Sequence, residues 1–205
     1  MRKKENIFLV FGIISLLLFV LLALNLNSSW VNSIDSIIYN QIILFKGPFL
    51  TGFLKFITNF GDVLFIAIIL VLFIIFTKNK RMAFIMIINI VLFVVITQVL
   101  KLVFLRPRPA DIAMVVENTY SFPSGHTTSA VCFYGLLMWF IKGFDIKRTI
   151  KNGVMILCGI LITLICVSRI YLGAHFATDV IGSILLAFGY LIIFVRVVKK
   201  YSKSN

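Results

Sequence analysis

The feature that most constrains this chain is a series of long, nearly uncharged apolar runs that recur along its length. An apolar run of about 18 residues or more is long enough to cross the hydrocarbon core of a bilayer as a helix. The runs are continuous and do not alternate, so they do not fit the strands of a membrane barrel. With 61% hydrophobic residues and a mean hydropathy of +1.09, the chain is too apolar for a water-soluble domain. We therefore predict an all-α integral membrane bundle that forms a single domain over residues 1–205.

Six runs are predicted to span the membrane, at 7–24, 54–76, 82–105, 124–141, 154–167 and 175–198. The basic start of the chain also suits a signal peptide, but the length of the first run and the lack of a small-residue cleavage site favour a retained span. After this span, isoleucines recur at helical spacing with polar residues between them. This pattern predicts a short helix at the membrane surface that ends at Gly47-Pro48.

The positions of the basic residues predict the orientation of the bundle. Fourteen of the 20 Lys and Arg residues lie at the termini or in turns that follow even-numbered spans. Since cytoplasmic segments are enriched in Lys and Arg, both termini are predicted to be cytoplasmic, and 106–122 and 168–174 to face outward. The net charge of +13 is then mostly a topology signal, and no nucleic-acid partner is expected. The predicted location is the plasma membrane, with the active site on its extracytoplasmic face.

Histidines and cysteines are too few and too scattered for a metal cluster. The two histidines are His126 and His175, and the three cysteines lie inside apolar runs, where they are expected to be small buried side chains. We therefore expect no metal and no other cofactor.

The stretch Ser168–Asp179 combines an arginine, a histidine and an aspartate within twelve residues. A helix that begins near His175 would place Asp179 one turn further on the same face. Its carboxylate could then bind one ring nitrogen and leave the other facing a substrate, as in a nucleophilic triad. Gly173 lets the chain turn back, so that Arg169 can approach His175. The alternative is a chance pair at a helix start, where Arg and Asp often serve as caps or snorkel.

Two further segments are predicted to lie on the same outward side. Lys101-Leu102-Val103-Phe104-Leu105-Arg106-Pro107-Arg108-Pro109 carries three cations, and its prolines stiffen the chain around Arg108. Charged groups at membrane depth indicate function, and a surplus of cations favours an anionic ligand such as phosphate. An ordinary basic cluster at the membrane edge is the alternative.

The other segment is Ser121-Phe122-Pro123-Ser124-Gly125-His126. Ser124 is the predicted N-cap of the fourth span, which leaves backbone N–H groups around Gly125 free to face an anion. His126 follows in the first turn. Taken alone, a capped helix with an incidental histidine explains this segment equally well.

Together the three segments resemble the signature of the phosphatidic acid phosphatase type 2 family, whose relatives include vanadium haloperoxidases and bacterial membrane lipid phosphatases. The resemblance covers residues 101–179. The matching positions are Lys101, Arg108, Pro109, Pro123, Ser124, Gly125, His126, Ser168, Arg169, His175 and Asp179.

The resemblance implies a metal-independent lipid phosphatase. His175 would be the nucleophile that forms a phosphohistidine, Asp179 would hold its tautomer, and His126 would protonate the leaving oxygen. The residues implied to bind the phosphoryl oxygens are Lys101, Arg108, Ser124, Gly125 and Arg169. Arg106 falls outside the family spacing and ranks below Arg108.

The candidate substrates implied by the resemblance are undecaprenyl pyrophosphate, phosphatidylglycerol phosphate and phosphatidic acid. A phosphotransferase that passes the phosphoryl group to a second lipid or a sugar is the alternative enzyme. A non-catalytic carrier of anionic lipids is the alternative outside enzymes. The carrier needs the cations but not the pair of His175 and Asp179, so His175→Ala separates it from the enzymes.

Overall fold

The structure, a computed structural model, describes residues 2–76 and 79–203, and over these residues the chain is all-helical, as predicted. The helices in this part of the chain are α1 (Arg2–Ala23), α2 (Ser29–Ile43), α3 (Pro48–Thr58), α4 (Val63–Phe76), α5 (Lys80–Phe104), α6 (Gly125–Gly143), α7 (Arg148–Tyr171) and α8 (Ala177–Lys203). Short 3-10 turns lie at Asn59–Gly61 and Ala110–Ile112.

Four of these helices, α1, α5, α7 and α8, are long and apolar enough to cross a membrane, and the bent pair α3–α4 raises the number to five. The chain is therefore a multi-pass membrane protein. Helix α6, the predicted fourth span, is not among the five. Its first two turns are polar, and Thr127 and Thr128 are buried inside the bundle, where they do not meet lipid. A count of six spans stays a prediction.

The segment predicted as the second span, 54–76, is not one helix. Helix α3 ends at Thr58, and after the 3-10 turn the chain bends by 57° into α4. Asp62 stabilises the new start, since its Oδ1 accepts a hydrogen bond from the Leu64 N–H at 2.7 Å. A Cβ at Gly61 would lie 2.7 Å from the Ile165 side chain and 3.0 Å from the His126 carbonyl oxygen. The bend therefore requires glycine, and it places this turn against the start of α6.

Helix α2 corresponds to the helix predicted after the first span, and one face of it packs on α7 and α8. Ile38 and Ile42 contact a buried cluster that includes Cys166 and Val180. Its opposite face stays open, and Ile37 is 62% exposed. A location at the membrane surface stays a prediction.

The main core lies between α4, α5, α6, α7 and α8, with fully buried Ile66, Leu136 and Ile165 at its centre. Helix α1 packs along α8, where the Ser15 hydroxyl donates a hydrogen bond to the Leu185 carbonyl at 2.8 Å. The cysteines are free and buried, as the apolar runs around them predicted: Cys132, Cys158 and Cys166.

Candidate active site

Four helix ends meet at one end of the bundle and bring the three sequence segments together. Helix α5 carries Lys101 in its last turn, and α7 carries Arg169 in its last turn. Helices α6 and α8 begin at the same end, and the loop 105–124 crosses it. Because the last turns of α5 and α7 face the first turns of α6 and α8, cationic side chains lie beside helix N-termini, a setting that suits an anion.

The turn that leads into α8 is attached to this loop. The Met114 N–H donates to the Leu172 carbonyl at 2.8 Å. Gly173 adopts a φ of 63°, and any Cβ there would clash with the Ile112 carbonyl oxygen. Glycine is required on both grounds, conformation and space. The turn and the loop therefore form one packed unit around His175.

His175 and Asp179 form the predicted pair, although α8 begins two residues later than expected. His175 lies in the turn before α8, and its Nδ1 is 3.5 Å from Asp179 Oδ2. The same carboxylate oxygen accepts hydrogen bonds from the Phe176 N–H at 2.9 Å and from the Ser121 hydroxyl. This is the reach of a third-position acid back to a helix N-cap, so local capping geometry fixes the carboxylate. Both side chains of the pair are buried.

The surroundings of His175 disfavour the charged form of its imidazole. Burial lowers the pKa of His175, and this outweighs the hydrogen bond and the negative charge of Asp179, which act to raise it. A neutral imidazole whose Nδ1 faces a carboxylate can keep its proton on Nδ1 and present an unprotonated Nε2. That is the state a nucleophile needs.

Arg108 approaches the other nitrogen of that ring. Its Nη1 lies 3.2 Å from His175 Nε2 and donates to the Ala174 carbonyl at 2.6 Å. Its Nε donates to the Thr119 carbonyl at 2.5 Å. The guanidinium is thus fixed by backbone carbonyls on two sides, with its positive charge beside the nitrogen on which a phosphoryl group would form a bond.

Arg169 and Arg108 share a carboxylate that the sequence did not predict as part of the site. Arg169 Nη2 forms an ion pair with Glu117 Oε1, and Arg108 Nη2 lies 3.7 Å from Glu117 Oε2. Arg169 Nη1 donates to the Thr58 hydroxyl at 2.9 Å. Its Nε is buried without a hydrogen-bond partner in the described part of the chain. A carboxylate between two guanidiniums marks the position that a phosphate could take.

Glu117 stays charged in this position. Burial acts to raise the pKa of Glu117, but the positive charges of Arg169 and Arg108 outweigh it and hold the pKa below its ordinary value. The side chain is 24% exposed, whereas that of Arg169 is 2% exposed. The carboxylate therefore lies on the open side of the arginines.

Lys101 and the start of α6 line the neighbouring part of the site. The Lys101 ammonium donates to the Tyr120 carbonyl. Ser124 is the N-cap of α6, as predicted, and its Oγ accepts from the Thr127 N–H at 3.4 Å. Its own N–H donates to Ser183 Oγ at 2.6 Å, so Ser124 is already bound on both sides. Nothing lies within 4 Å of a Cβ built on Gly125, which leaves space beside that backbone.

His126 faces a second unpredicted acid. Its Nε2 lies 3.7 Å from Asp62 Oδ2, which the bend between α3 and α4 brings to the start of α6. Asp62 is 47% exposed, so the pair lies at the open side of the bundle. Burial lowers the pKa of His126, and the negative charge of Asp62 opposes this shift only in part. An anionic substrate would add to the effect of Asp62 and favour the protonated form that a proton donor needs.

Arg106, which the sequence analysis placed below Arg108, forms more ion pairs in the site than expected. It pairs with Asp179 and with Asp35 of α2, and it is buried. Asp35 follows Val31 by four residues and precedes Ile38 by three, so it lies on the buried stripe of α2. An acid on an apolar stripe was the signal that could have found it.

The described residues contain no group of three or more His, Cys, Asp or Glu that could hold a metal ion.

Comparison with known proteins finds matches within one protein family. The model of the PAP2 superfamily matches residues 81–203. Phosphatidylglycerophosphatase B of Bacillus subtilis (strain 168) is 31% identical over 183 residues, which is 87% of this chain and 89% of that protein.

Two crystal structures share the fold. One, of the first transmembrane PAP2 type phosphatidylglycerolphosphate phosphatase from Bacillus subtilis, matches with a TM-score of 0.85 and 28% identity, over 92% of this chain and 96% of the other. The other, Aquifex aeolicus LpxE, matches with a TM-score of 0.65 and 26% identity, over 78% of this chain and 93% of the other.

Proposed function

The chain belongs to the PAP2 superfamily, and from that membership we propose that it is a membrane lipid phosphatase that works through a phosphohistidine. It removes the terminal phosphate of a lipid phosphate or pyrophosphate without a metal. The observation that carries the proposal is the buried His175, whose Nδ1 faces Asp179 and whose Nε2 faces Arg108 beside the Glu117-bound Arg169.

In the first step His175 Nε2 attacks phosphorus, and the bond from phosphorus to the leaving oxygen breaks. The imidazole becomes cationic, and Asp179 stabilises that charge through the proton on Nδ1. Arg108, Arg169 and Lys101, with backbone N–H groups at Gly125, bind the phosphoryl oxygens as charge develops on them. The cations replace a metal as the counter-charge.

His126 supplies the proton that the leaving oxygen needs. After the dephosphorylated lipid departs, the same histidine removes a proton from the water that attacks the phosphohistidine, which returns His175 to its neutral state and releases phosphate. Asp62 at 3.7 Å orients His126 for both steps.

Among the candidate lipids, we propose phosphatidylglycerol phosphate first, because the similar Bacillus subtilis protein is a phosphatidylglycerophosphatase. Undecaprenyl pyrophosphate and phosphatidic acid follow.

We place the site on the extracytoplasmic face because the basic residues lie mainly at the other end. Labelling of a Val116→Cys variant in intact cells by a membrane-impermeant maleimide tests that side, since Val116 is 91% exposed and the native cysteines are buried.

The experiment that tests the function is phosphate release by the purified protein in detergent, with EDTA present, from each of the three lipids. We expect release from at least one lipid, and we expect His175→Ala to lower it by about 10³-fold or more, as loss of a nucleophile does. The matched control is Lys46→Gln, an exposed cation outside the site, which should release phosphate at the original rate.

Two results would overturn the proposal. Activity that EDTA abolishes and Mg²⁺ restores would show metal-dependent chemistry. Activity that survives His175→Ala would exclude the phosphohistidine. Transfer of phosphate to a second lipid, without matching free phosphate, would identify the protein as a phosphotransferase that uses the same site.

A further inference from the structure

A buried chain of charges lies behind His175, on the side away from the open end of the site. Arg106 Nη1 donates to Asp179 Oδ1 at 2.6 Å, and Nη2 donates to Asp35 Oδ2 at 2.7 Å. The side chains of Asp179, Arg106 and Asp35 are 0%, 5% and 6% exposed. The Arg106 guanidinium also stacks over the Phe176 ring, with 4.4 Å from its carbon to the ring centroid. The three ions thus have no solvent to replace any lost partner.

Asp35 is attached to the helix that carries Asp179. Its Oδ1 accepts from the Thr178 N–H at 2.7 Å, and its Oδ2 accepts from the Thr178 hydroxyl at 3.0 Å. Thr178 also receives a hydrogen bond from Arg106 Nη1 at 2.9 Å. A carboxylate at the first turn of a helix satisfies a free N–H and interacts well with the helix dipole. Helix α2 therefore fixes the start of α8 through one side chain.

The two carboxylate oxygens of Asp179 bind different partners. Oδ1 is bound by Arg106, so Oδ2 is the oxygen that faces His175 Nδ1, Ser121 and the Phe176 N–H. Rotation of the carboxylate would break the Arg106 contact. The orientation of the imidazole thus depends on a residue that does not touch it.

The charge balance explains why a second acid is needed. Arg106 alone would neutralise Asp179 and remove its attraction for the cationic imidazole that forms during the reaction. Asp35 neutralises Arg106, so that Asp179, Arg106 and Asp35 together carry one negative charge. When His175 becomes cationic, the four groups sum to zero. This balance stabilises the cationic imidazole beside a buried cluster of charges.

We propose that Asp35 and Arg106 are positioning residues of the active site, which orient Asp179 and preserve its negative charge for His175. The proposal rests on the proposed function, in which His175 is the nucleophile. It also gives α2 a role in catalysis, because this helix holds its acid against α8 from outside the segments that carry the family signature.

The test is steady-state kinetics of Asp35→Asn on the lipid that the wild-type protein hydrolyses. We expect kcat to fall by about 10- to 100-fold, the loss expected when a supporting partner is removed, while KM stays within about twofold. Inhibition by inorganic phosphate should be unchanged, because the groups that bind the phosphoryl oxygens remain. The acid limb of the pH profile should move to lower pH, because the uncompensated Arg106 disfavours protonation of His175.

Arg106→Lys is the second variant. A lysine keeps the charge but is a single point donor, whereas the planar guanidinium bridges two carboxylates. We expect the same loss in kcat with unchanged phosphate inhibition, and this variant decides the matter if Asp35→Asn does not fold. The matched control is Asp111→Asn, an exposed acid at the same end of the molecule, which should retain full activity.

Full kcat in folded Asp35→Asn or Arg106→Lys would overturn the inference, and so would a rise in KM with kcat unchanged. A fall in thermal stability with the kcat and pH profile of the wild type would show a structural role only, and would also overturn it. The proposed function fails on different grounds, namely activity without His175. If His175→Ala is inactive and Asp35→Asn is fully active, only the inference is wrong.

Discussion

Two clusters of arginine and carboxylate lie on opposite sides of His175, and they have the same chemistry but different surroundings. The inner cluster is Asp35, Arg106 and Asp179, and the outer cluster is Arg108, Arg169 and Glu117. In the inner cluster no side chain is more than 6% exposed. In the outer cluster the carboxylate is 24% exposed.

The difference determines what each cluster can do. A buried ion pair that loses one partner leaves an uncompensated charge, so the inner cluster cannot exchange its carboxylates and acts as a scaffold. The Glu117 carboxylate is partly exposed, so water can solvate it when an incoming anion takes its place beside the arginines. The outer cluster is therefore the part that can accept a phosphate in place of Glu117.

The largest effect is expected from the outer-cluster variant Arg169→Gln. We expect kcat/KM to fall by about 10² to 10³-fold, because in the proposed mechanism the variant removes a charge that stabilises the transition state. Inhibition by inorganic phosphate should weaken as well. The inner-cluster variants should lose rate without losing phosphate affinity. Equal loss of phosphate affinity from changes in both clusters would remove the distinction.

A smaller effect is expected on the pH profile. Because burial lowers the pKa of His175, the imidazole is neutral below the pH at which an exposed histidine would protonate, and the protein should stay active there. At pH 5.5 a histidine with the ordinary pKa of about 6.5 would be only about one-tenth neutral. We therefore expect kcat/KM at pH 5.5 to retain more than that fraction of its value at pH 7.5.

Asp179→Asn provides the control for this profile, since the substrate phosphate ionises in the same range. The Asp179 carboxylate acts to raise the pKa of His175, so in its absence the acid limb of the residual activity should move to lower pH. A limb that does not move belongs to the ionisation of the substrate phosphate. A limb that moves to higher pH would contradict the assignment.

The smallest expected effect is that of Glu117→Gln. Removal of a competing anion should lower KM by about two- to fivefold and leave kcat within about twofold, since a fivefold change in affinity corresponds to about 1 kcal/mol. Initial rates over a range of lipid concentrations measure both values. A tenfold fall in kcat would show that Glu117 takes part in the reaction and is not merely displaced from the arginines.

The sequence predicted the all-α fold and the residues that meet at the site because both leave local signals. Long apolar runs predict helices, and a serine before such a run, here Ser124, predicts the N-cap that the structure shows. The sequence did not predict the bend at 59–62, because the bend depends on the close approach of Gly61 to Ile165 and His126, which are distant in the chain. The sequence did not predict that Asp35 belongs to the site, because its partners Arg106 and Thr178 lie 71 and 143 residues away in the chain. A single polar residue on an apolar stripe becomes interpretable only when its partner is known.

The attachment of the loop 105–124 also sets the scale of the motion that admits a substrate. Met114 is held by Leu172, and Ser121 by the Arg106 carbonyl, while Thr119 is held by Arg108. Between these points lie 115–118, a segment of four residues that carries Glu117. Displacement of Glu117 therefore needs a rearrangement of one short segment, and such motions take nanoseconds to microseconds. We therefore expect that the opening of this segment does not limit a turnover of about 10 per second, a typical value for enzymes.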